Sequence, residues 1–194
     1  MPSNPSAKET IYLSTTLDGH AALERLLESG KHVDRIITAP AAKRRTVSDF
    51  ADFGPLAKRY GVPLVRTNDA NAVIQRGNWK ADLLIVNGWS QLIRSAVLTR
   101  FSKGCVGTHP SLLPRNRGRA PIPWHFINRE KFGGVTVFYL AEGCDNGPII
   151  DQRRFRLTDS DNARTYYERI AEYGGALLCK HFDRIKAGRS RKSA

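Results

Sequence analysis

Residues 107–127 read GTHPSLLPRNRGRAPIPWHFI and contain the most distinctive pattern in the chain. The apolar residues Cys105 and Val106 lead into this stretch and predict a strand that ends near His109. Prolines restrict the backbone after the histidine, and clustered arginines favour an anionic ligand. We therefore interpret the stretch as a rigid catalytic loop at the end of a strand, with a proline-rich surface loop as the alternative.

Strands and helices alternate on both sides of this loop. Apolar runs predict strands at Glu9–Ser14 and at residues 33–38, 62–65, 83–86, 105–108, 134–140 and 149–155. Helices are predicted at residues 18–29, 49–60 (or 56–60 if Gly54-Pro55 delays the start), 70–74, 92–98, 122–128 and 161–186. This alternation is typical of a Rossmann-like α/β fold, with an open, mostly parallel sheet and helices on both faces.

The length of 194 residues predicts one domain. We expect a disordered lead at residues 1–8, a single catalytic domain at 9–187 and a basic tail at 188–194. No apolar run approaches the roughly 20 residues that span a bilayer, and the first residues lack a signal pattern, so a cytoplasmic protein without membrane contact is expected. The three cysteines have no ligand-like spacing, which predicts buried thiols and no metal site.

The formal net charge of +13 predicts anionic partners such as phosphates, nucleotides, folates or nucleic acid. Part of this charge lies in the C-terminal residues 186–194 and in Lys43-Arg44-Arg45, which we interpret as solvated segments. Aromatic residues do not interleave with these basic runs, which disfavours a binding surface for single-stranded nucleic acid.

Ligands of open α/β sheets bind beyond the carboxyl ends of the strands. This rule brings together Asp18-Gly19, Asn87-Gly88-Trp89 and Thr108-His109 around one crevice, and Asp145 follows another strand. A carboxylate beside an imidazole fixes its tautomer and favours its protonated form, so His109 and Asp145 are candidates for a proton-accepting pair. The alternative for Asp145 is an Asx-turn, because Asp-Asn-Gly-Pro is also a turn composition.

Several ordered motifs resemble the folate-dependent formyltransferase family. The motifs are His109-Pro-Ser-Leu-Leu-Pro114, Arg117-Gly118, Gly134-Val-Thr136 and Asp145-x-Gly-Pro-Ile-Ile150, followed by Gln152. The resemblance implies a Rossmann-like domain that transfers a formyl group from N10-formyltetrahydrofolate to a primary amine. It also implies that His109 accepts the proton of the attacking amine and that Asp145 orients His109.

The resemblance further assigns residues to the folate donor and to the acceptor. It implies a pterin pocket lined by Trp89, Leu92 and Ile93, under a loop made of Leu140, Ala141, Glu142 and Gly143. The clustered arginines Arg115, Arg117 and Arg119 are expected to meet either a diphosphate of the acceptor or the glutamate tail of the folate. The helix start near Gly19 is a further candidate for acceptor binding, because helix N-termini favour anions.

Two positions depart from the family pattern. Gly107 stands where the family usually has the asparagine that binds the formyl oxygen, and Phe138 stands where many members have a histidine. A missing oxyanion donor typically costs about 10²–10³ in rate. We therefore predict a substitute donor, with Asn87 first and Asn116 or Thr108 as alternatives; a weak or inactive family member is the remaining possibility.

The run Gly118-Arg-Ala-Pro-Ile-Pro-Trp124 is closest to formyltransferases of nucleotide-linked amino sugars, and this substrate class is our prediction. The chain ends about 40 residues after Gln152, too soon for the second domain of methionyl-tRNA formyltransferases, so tRNA is not the expected acceptor. Glycinamide ribonucleotide or a hydroxylated amino acid are alternative acceptors. A basic nucleic-acid-binding protein with a vestigial folate site is an alternative of another class, and a homodimer is a possible assembly.

Overall fold

The computed structural model describes residues 9–189, so the predicted lead at residues 1–8 and residues 190–194 of the predicted tail lie outside it. The described chain contains seven strands: β1 (Glu9–Ser14), β2 (Arg35–Thr38), β3 (Leu64–Arg66), β4 (Ala81–Asn87), β5 (Cys105–His109), β6 (Phe132–Tyr139) and β7 (Ile149–Arg156). It also contains six α-helices: α1 (Leu17–Glu28), α2 (Gly54–Tyr60), α3 (Ala70–Arg76), α4 (Ser95–Leu98), α5 (Pro121–Ile127) and α6 (Ala163–Lys186).

The strands form one sheet in the order β3-β2-β1-β4-β5-β6-β7. Neighbours from β3 to β5 are parallel, whereas β5–β6 and β6–β7 are antiparallel. The predicted Rossmann-like α/β fold with a mostly parallel sheet is therefore confirmed. The change of direction begins at β5, the strand that ends in His109, so the candidate catalytic loop lies where the parallel and antiparallel parts of the sheet meet.

Alternate residues of the central strands build two apolar clusters on opposite faces of the sheet. On one face Tyr12, Ile85 and Val106 pack with residues of α1, α2 and α6. On the other face Leu13, Val86 and Cys105 pack with residues of α3 and α4. Because β4 is covered on both faces, its residues 83–86 form a continuous apolar run.

Some predicted helix boundaries were wrong. The helix predicted at residues 49–60 begins only at Gly54, because Pro55 suits the first turn of a helix. The helix predicted at 92–98 is reduced to Ser95–Leu98, since the amide of Asn71 holds residues 92–94 in a non-helical segment. The last helix begins at Ala163 because Asn162 and Thr165 form a capping box.

Helix α6 continues through Gly174 and Gly175 without a break. A Cβ atom on Gly175 would lie 3.2 Å from Cα of Ala22 in α1. The glycine therefore permits close contact between the two helices.

Candidate active site

The two ring nitrogens of His109 face different partners at the end of β5. Nε2 lies 2.8 Å from the carbonyl oxygen of Asn116, and because a carbonyl only accepts, Nε2 carries a hydrogen. Nδ1 lies 3.4 Å from Oδ2 of Asp145. In the neutral ring Nδ1 is therefore the proton-accepting nitrogen, and the imidazolium that results would face a carboxylate.

Asp145 reaches His109 from the loop between β6 and β7. Its φ of +48° lies in the left-handed region, which aspartate tolerates better than most residues. Its Oδ2 accepts a hydrogen bond of 2.9 Å from the backbone N–H of Gly118. The carboxylate thus joins two loops and faces the histidine, an arrangement suited to proton transfer.

Buried polar side chains fix the turn that follows His109. The hydroxyl of Thr136 donates to the carbonyl of Ser111 at 2.6 Å and accepts from the N–H of Leu113 at 3.1 Å. The amide of Gln152 donates to Thr136 at 2.8 Å and to the carbonyl of Leu113 at 2.9 Å. These contacts explain physically why Thr136 and Gln152 accompany the histidine motif in the sequence.

The two departures from the family pattern are neighbours in space. Gly107 pairs directly with Phe138 across β5 and β6. A Cβ atom on Gly107 would lie 2.8 Å from Cδ2 of Leu140 and 3.3 Å from Cε1 of Phe138. Phe138 and Leu140 therefore occupy the space beside the glycine, and both departures belong to one apolar packing arrangement.

The three proposed substitute donors are engaged in contacts of their own. The hydroxyl of Thr108 donates to Oδ1 of Asn87 at 2.6 Å, and Asn87 is also a hydrogen-bond partner of the buried Tyr12 hydroxyl. Since Thr108 alternates with Gly107 and His109 along β5, Asn87 lies on the opposite face of the sheet from His109. The amide of Asn116 lies 2.9 Å from Oε1 of Glu130. This placement argues against Asn87 as the oxyanion donor, which stays a prediction.

The residues assigned to the pterin lie on the α3–α4 side of the sheet. Trp89, Ile93 and Leu140 pack against the apolar cluster there, and Leu92 is exposed. The indole Nε1 of Trp89 is buried without a hydrogen-bond partner among the described residues. Of the loop, Ala141 is half-buried, whereas Glu142 and Gly143 are exposed.

Asn71 is a residue that sequence reasoning missed. Its side chain is 3% exposed, donates to the carbonyl of Leu92 at 3.0 Å and accepts from the N–H of Arg94 at 2.8 Å. The amide therefore holds the segment that contains Leu92 and Ile93. Its position inside the short helix α3 gave no signal that it bonds to a distant loop.

The arginine loop extends from the catalytic turn into solvent. Arg115, Arg117 and Arg119 are exposed, and none takes part in an ion pair among residues 9–189. Arg117 is near enough to Cys144 to act electrostatically on its thiol. Three cations without carboxylate partners are thus available beside His109 and Asp145.

The helix start near Gly19 has a different character. A Cβ atom on Gly19 would overlap Oγ of Ser14 and lie 2.8 Å from the carbonyl oxygen of Asn87, so Gly19 is a packing residue in this structure. Burial raises the pKa of Asp18, and the nearby Asp49 raises it further. A closed, acidic helix start disfavours an anion, and the assignment of Gly19 to the acceptor stays a prediction without geometric support.

The cysteines are only partly as predicted. Cys105 is buried, but Cys144 is exposed because it lies in the solvent-facing β6–β7 loop, and Cys179 is half-buried. Within residues 9–189 no group of three or more His, Cys, Asp or Glu side chains is arranged to hold a metal ion. No helix in the same range has the length and apolar character needed to cross a membrane.

Comparison with known proteins shows similarity to one family over most of the chain. The family model described as "Formyl transferase" matches residues 12–181. Among curated relatives, methionyl-tRNA formyltransferase of Thermodesulfovibrio yellowstonii is 29% identical over 92% of this chain and 59% of its own length. The corresponding protein of Bacteroides fragilis is 31% identical over 92% of this chain and 56% of its own length. The chain therefore spans less than two thirds of these relatives.

Solved structures share the fold at lower sequence identity. Glycinamide ribonucleotide transformylase 1 from Symbiobacterium toebii superposes with a TM-score of 0.80 at 22% identity, covering 96% of this chain and 91% of that chain. The sugar 3N-formyl transferase WlaRD, solved with dTDP and 5-N-formyl-THF, superposes with a TM-score of 0.75 at 18% identity, covering 96% and 65%. These structures establish the fold and leave the acceptor open.

Proposed function

Because the chain belongs to the formyl transferase family, we propose that it transfers a formyl group from N10-formyltetrahydrofolate to a primary amine on a nucleotide-linked amino sugar. The observation that carries this proposal is the pairing of His109 with Asp145 at 3.4 Å, next to arginines without ion-pair partners. The pair supplies a base for the amine, and the arginines supply positive charge for a diphosphate.

The protonation of His109 supports a defined role for each nitrogen. Nε2–H is held by the carbonyl of Asn116, so Nδ1 takes the proton that the attacking amine loses. The carboxylate of Asp145 then stabilises the imidazolium electrostatically. Gly118 donates to the same carboxylate, which keeps Asp145 in place when the charge forms.

The folate donor fits the α3–α4 side of the sheet. An apolar floor of Ile93 and Leu140, the unpartnered indole N–H of Trp89 and the segment held by Asn71 make a platform for a planar heterocycle with polar edges. Trp89, Ile93 and Leu140 would hold the donor, and exposed Leu92 would cover it. When bound, the donor supplies the formyl group, while the chain binds and orients it.

The arginine loop supports an anionic acceptor. Arginine forks pair in bidentate fashion with phosphate oxygens, and Arg115, Arg117 and Arg119 are exposed without competing carboxylates in the described range. A solved N-formyltransferase from Helicobacter canadensis, in complex with folinic acid and dTDP-3-aminofucose, has the same fold, with a TM-score of 0.74. A nucleotide-linked amino sugar is therefore the acceptor we propose.

Formyl transfer can be measured directly as tetrahydrofolate release. The protein is incubated with N10-formyltetrahydrofolate and a panel of amines containing a dTDP-amino sugar, glycinamide ribonucleotide and methionyl-tRNA. Turnover with the dTDP-amino sugar alone is the expected result. Turnover only with another amine would refute the sugar assignment, and absence of turnover and of folate binding would refute the enzyme assignment.

Nucleic acid is a second candidate partner. The net charge of +13 and the similarity to methionyl-tRNA formyltransferases favour it. An RNA-binding role predicts tRNA affinity that falls steeply with salt, since each neutralised phosphate releases counterions. A steep salt slope without folate binding would favour this candidate over the enzyme. The predicted homodimer is tested separately by sedimentation.

A further inference from the structure

A polar network of buried and half-buried side chains lies behind His109, on the side away from Asp145. It consists of Asn116, His125, Glu130 and Tyr166, and we call it the rear network. Its link to the active site is the carbonyl of Asn116, which accepts from Nε2–H of His109 at 2.8 Å. The side chain of Asn116 turns inward, where Nδ2 lies 2.9 Å from Oε1 of Glu130 and 3.4 Å from Nε2 of His125.

The backbone positions two members of the rear network through left-handed conformations. Asn116 has a φ of +52°, which aims its carbonyl at the histidine, and Arg129 has a φ of +50° just before Glu130. The N–H of Glu130 donates to the carbonyl of His125 at 2.9 Å after the end of α5. Left-handed backbone is costly for most side chains, so contacts within the network must maintain this arrangement.

His125 is 2% exposed and is oriented by contacts on both ring nitrogens. Nδ1 lies 2.7 Å from the carbonyl oxygen of Pro121 and therefore carries a hydrogen. Nε2 lies 3.2 Å from the hydroxyl of Tyr166 and 3.5 Å from Oε2 of Glu130. In the neutral ring Nε2 is an acceptor within reach of the Tyr166 hydroxyl and of Nδ2 of Asn116 at 3.4 Å, and in the charged ring its hydrogen is within reach of Glu130.

We propose that Glu130 and His125 are positioning residues for the catalytic histidine. They fix Asn116 so that its carbonyl keeps the hydrogen of His109 on Nε2 and leaves Nδ1, which lies 3.4 Å from Oδ2 of Asp145, as the proton acceptor. The effect of this positioning on turnover rests on the proposed function. The orientation of His109 is a property of the protein alone and can be measured without substrate.

The charged and titratable groups that face His125 and His109 come from several helices and loops. Glu130 and the Tyr166 hydroxyl face His125 from the α5–β6 turn and from α6. Asp145 faces His109 from the β6–β7 loop, with the Cys144 thiol 3.5 Å from the same carboxylate. Loss of Glu130 leaves the amide of Asn116 without its carboxylate partner, so the carbonyl loses its fixed direction. The Nε2–H group of His109 then has no acceptor held in a fixed position.

The test combines nitrogen NMR of the histidine rings with kinetics. In Glu130→Ala the His109 signal should change from an Nε2–H tautomer to a mixture, and kcat should fall roughly tenfold or more, as is typical when an outer partner of a functional histidine is lost. The KM for folate should stay constant. Glu130→Gln should restore the tautomer and most of kcat, because its amide oxygen still accepts from Asn116.

A second variant distinguishes the loss of positioning from a folding defect. Asn116→Gly keeps the left-handed backbone but removes the amide, and it should change the His109 tautomer as Glu130→Ala does. Ala120→Gly and Glu168→Ala are the controls for a glycine at positive φ and for loss of a carboxylate outside the network. An unchanged His109 tautomer in both Glu130→Ala and Asn116→Gly would overturn the proposal. Absence of turnover in the unmutated protein would instead refute the proposed function, while the NMR result still decides the positioning role.

Discussion

Two regions at the carboxyl ends of the strands differ in packing and charge. At the first, between β1 and β4, Ser14 fills the space beside Gly19 and Thr16 fills the space beside Gly88. The buried carboxyl of Asp18 lies there with Tyr167, whose hydroxyl is 2.9 Å from it. At the second, after β5, His109 and Asp145 meet beneath exposed arginines. We call these the closed crevice and the open crevice.

The difference shows what the strand-end rule can and cannot decide. Both crevices satisfy the rule that ligands bind beyond the carboxyl ends of parallel strands. Only the open crevice combines a titratable pair with unpaired cations, because there the sheet reverses direction and two loops replace a tightly packed helix start. Local packing and charge therefore select the site from the positions that topology allows.

Removal of the imidazole should give the largest difference between the crevices. His109→Ala should lower kcat by roughly 10²–10⁴, the usual contribution of a general base, while folate binding persists. The measurement is tetrahydrofolate release, with circular dichroism to verify folding. His20→Ala is the matched control, because His20 belongs to α1 at the closed crevice and packs on Phe53 at 5.3 Å. Equal losses in both variants would contradict the comparison.

Sequence reasoning predicted the sheet, its mostly parallel order and the proximity of His109 to Asp145. The fold was predictable because apolar strand runs such as residues 83–86 reflect burial on both faces. The histidine and aspartate were identifiable because both follow strands and stand among residues that restrict the backbone. Their approach to within 3.4 Å is a matter of loop geometry that only the structure provides.

Other features had no signature in the sequence. The placement of Asn87 depends on which face of the sheet the last residue of β4 presents, and a strand end alone leaves that choice open. The closed state of the crevice at Gly19 depends on Ser14 at the end of β1 and on Tyr167 of α6, and Tyr167 is 149 residues from Asp18 in the chain. Asn71 bonds to residues 21 and 23 positions away, and Asn116 bonds to Glu130 14 positions away, so no local sequence pattern indicates these contacts.

Loss of one arginine should show whether the open crevice binds an anionic acceptor. Arg117→Ala should raise the KM of the acceptor roughly tenfold, equivalent to about 1.4 kcal/mol, with kcat and folate affinity nearly constant. Initial rates across acceptor concentrations measure the effect. Arg59→Ala removes an exposed arginine that already pairs with Glu24 at 3.3 Å and should leave the KM unchanged. A rise in KM with both variants would indicate a general charge effect.

A methyl group at the closed crevice should affect stability and leave catalysis unaffected. Gly19→Ala places its Cβ against Ser14 Oγ and should lower the free energy of unfolding by roughly 1–3 kcal/mol, as expected for overpacking. The control Gly174→Ala meets Val135 Cγ2 at an ordinary 3.5 Å and should be neutral or stabilising. Urea unfolding measures both. If Gly19→Ala is as stable as the unmutated protein, the crevice has room for a ligand. That result would support the predicted contact between Gly19 and the acceptor.

The smallest effect should be a pH dependence with opposite signs at two aspartates. Burial raises the pKa of Asp18 above its usual value of 3.8. The folded protein therefore holds that proton at higher pH than the unfolded chain, and stability falls as pH rises past the unfolded pKa. Asp18→Asn should flatten this fall in urea unfolding experiments between pH 4 and 8.

Asp151 supplies the opposite sign, because its surroundings stabilise the charged form. Partial burial would raise its pKa, but hydrogen bonds from Lys180, His181 and the N–H of Gln152 outweigh it and lower the pKa to about 2. The resulting stability is complete above the unfolded pKa and is lost as pH falls toward about 2. Asp151→Asn should therefore cost roughly 1 kcal/mol at pH 7, after allowance for solvent screening, and almost nothing at pH 2. If both variants changed stability with the same sign of pH slope, the electrostatic contrast between a buried acid and a paired one would be refuted.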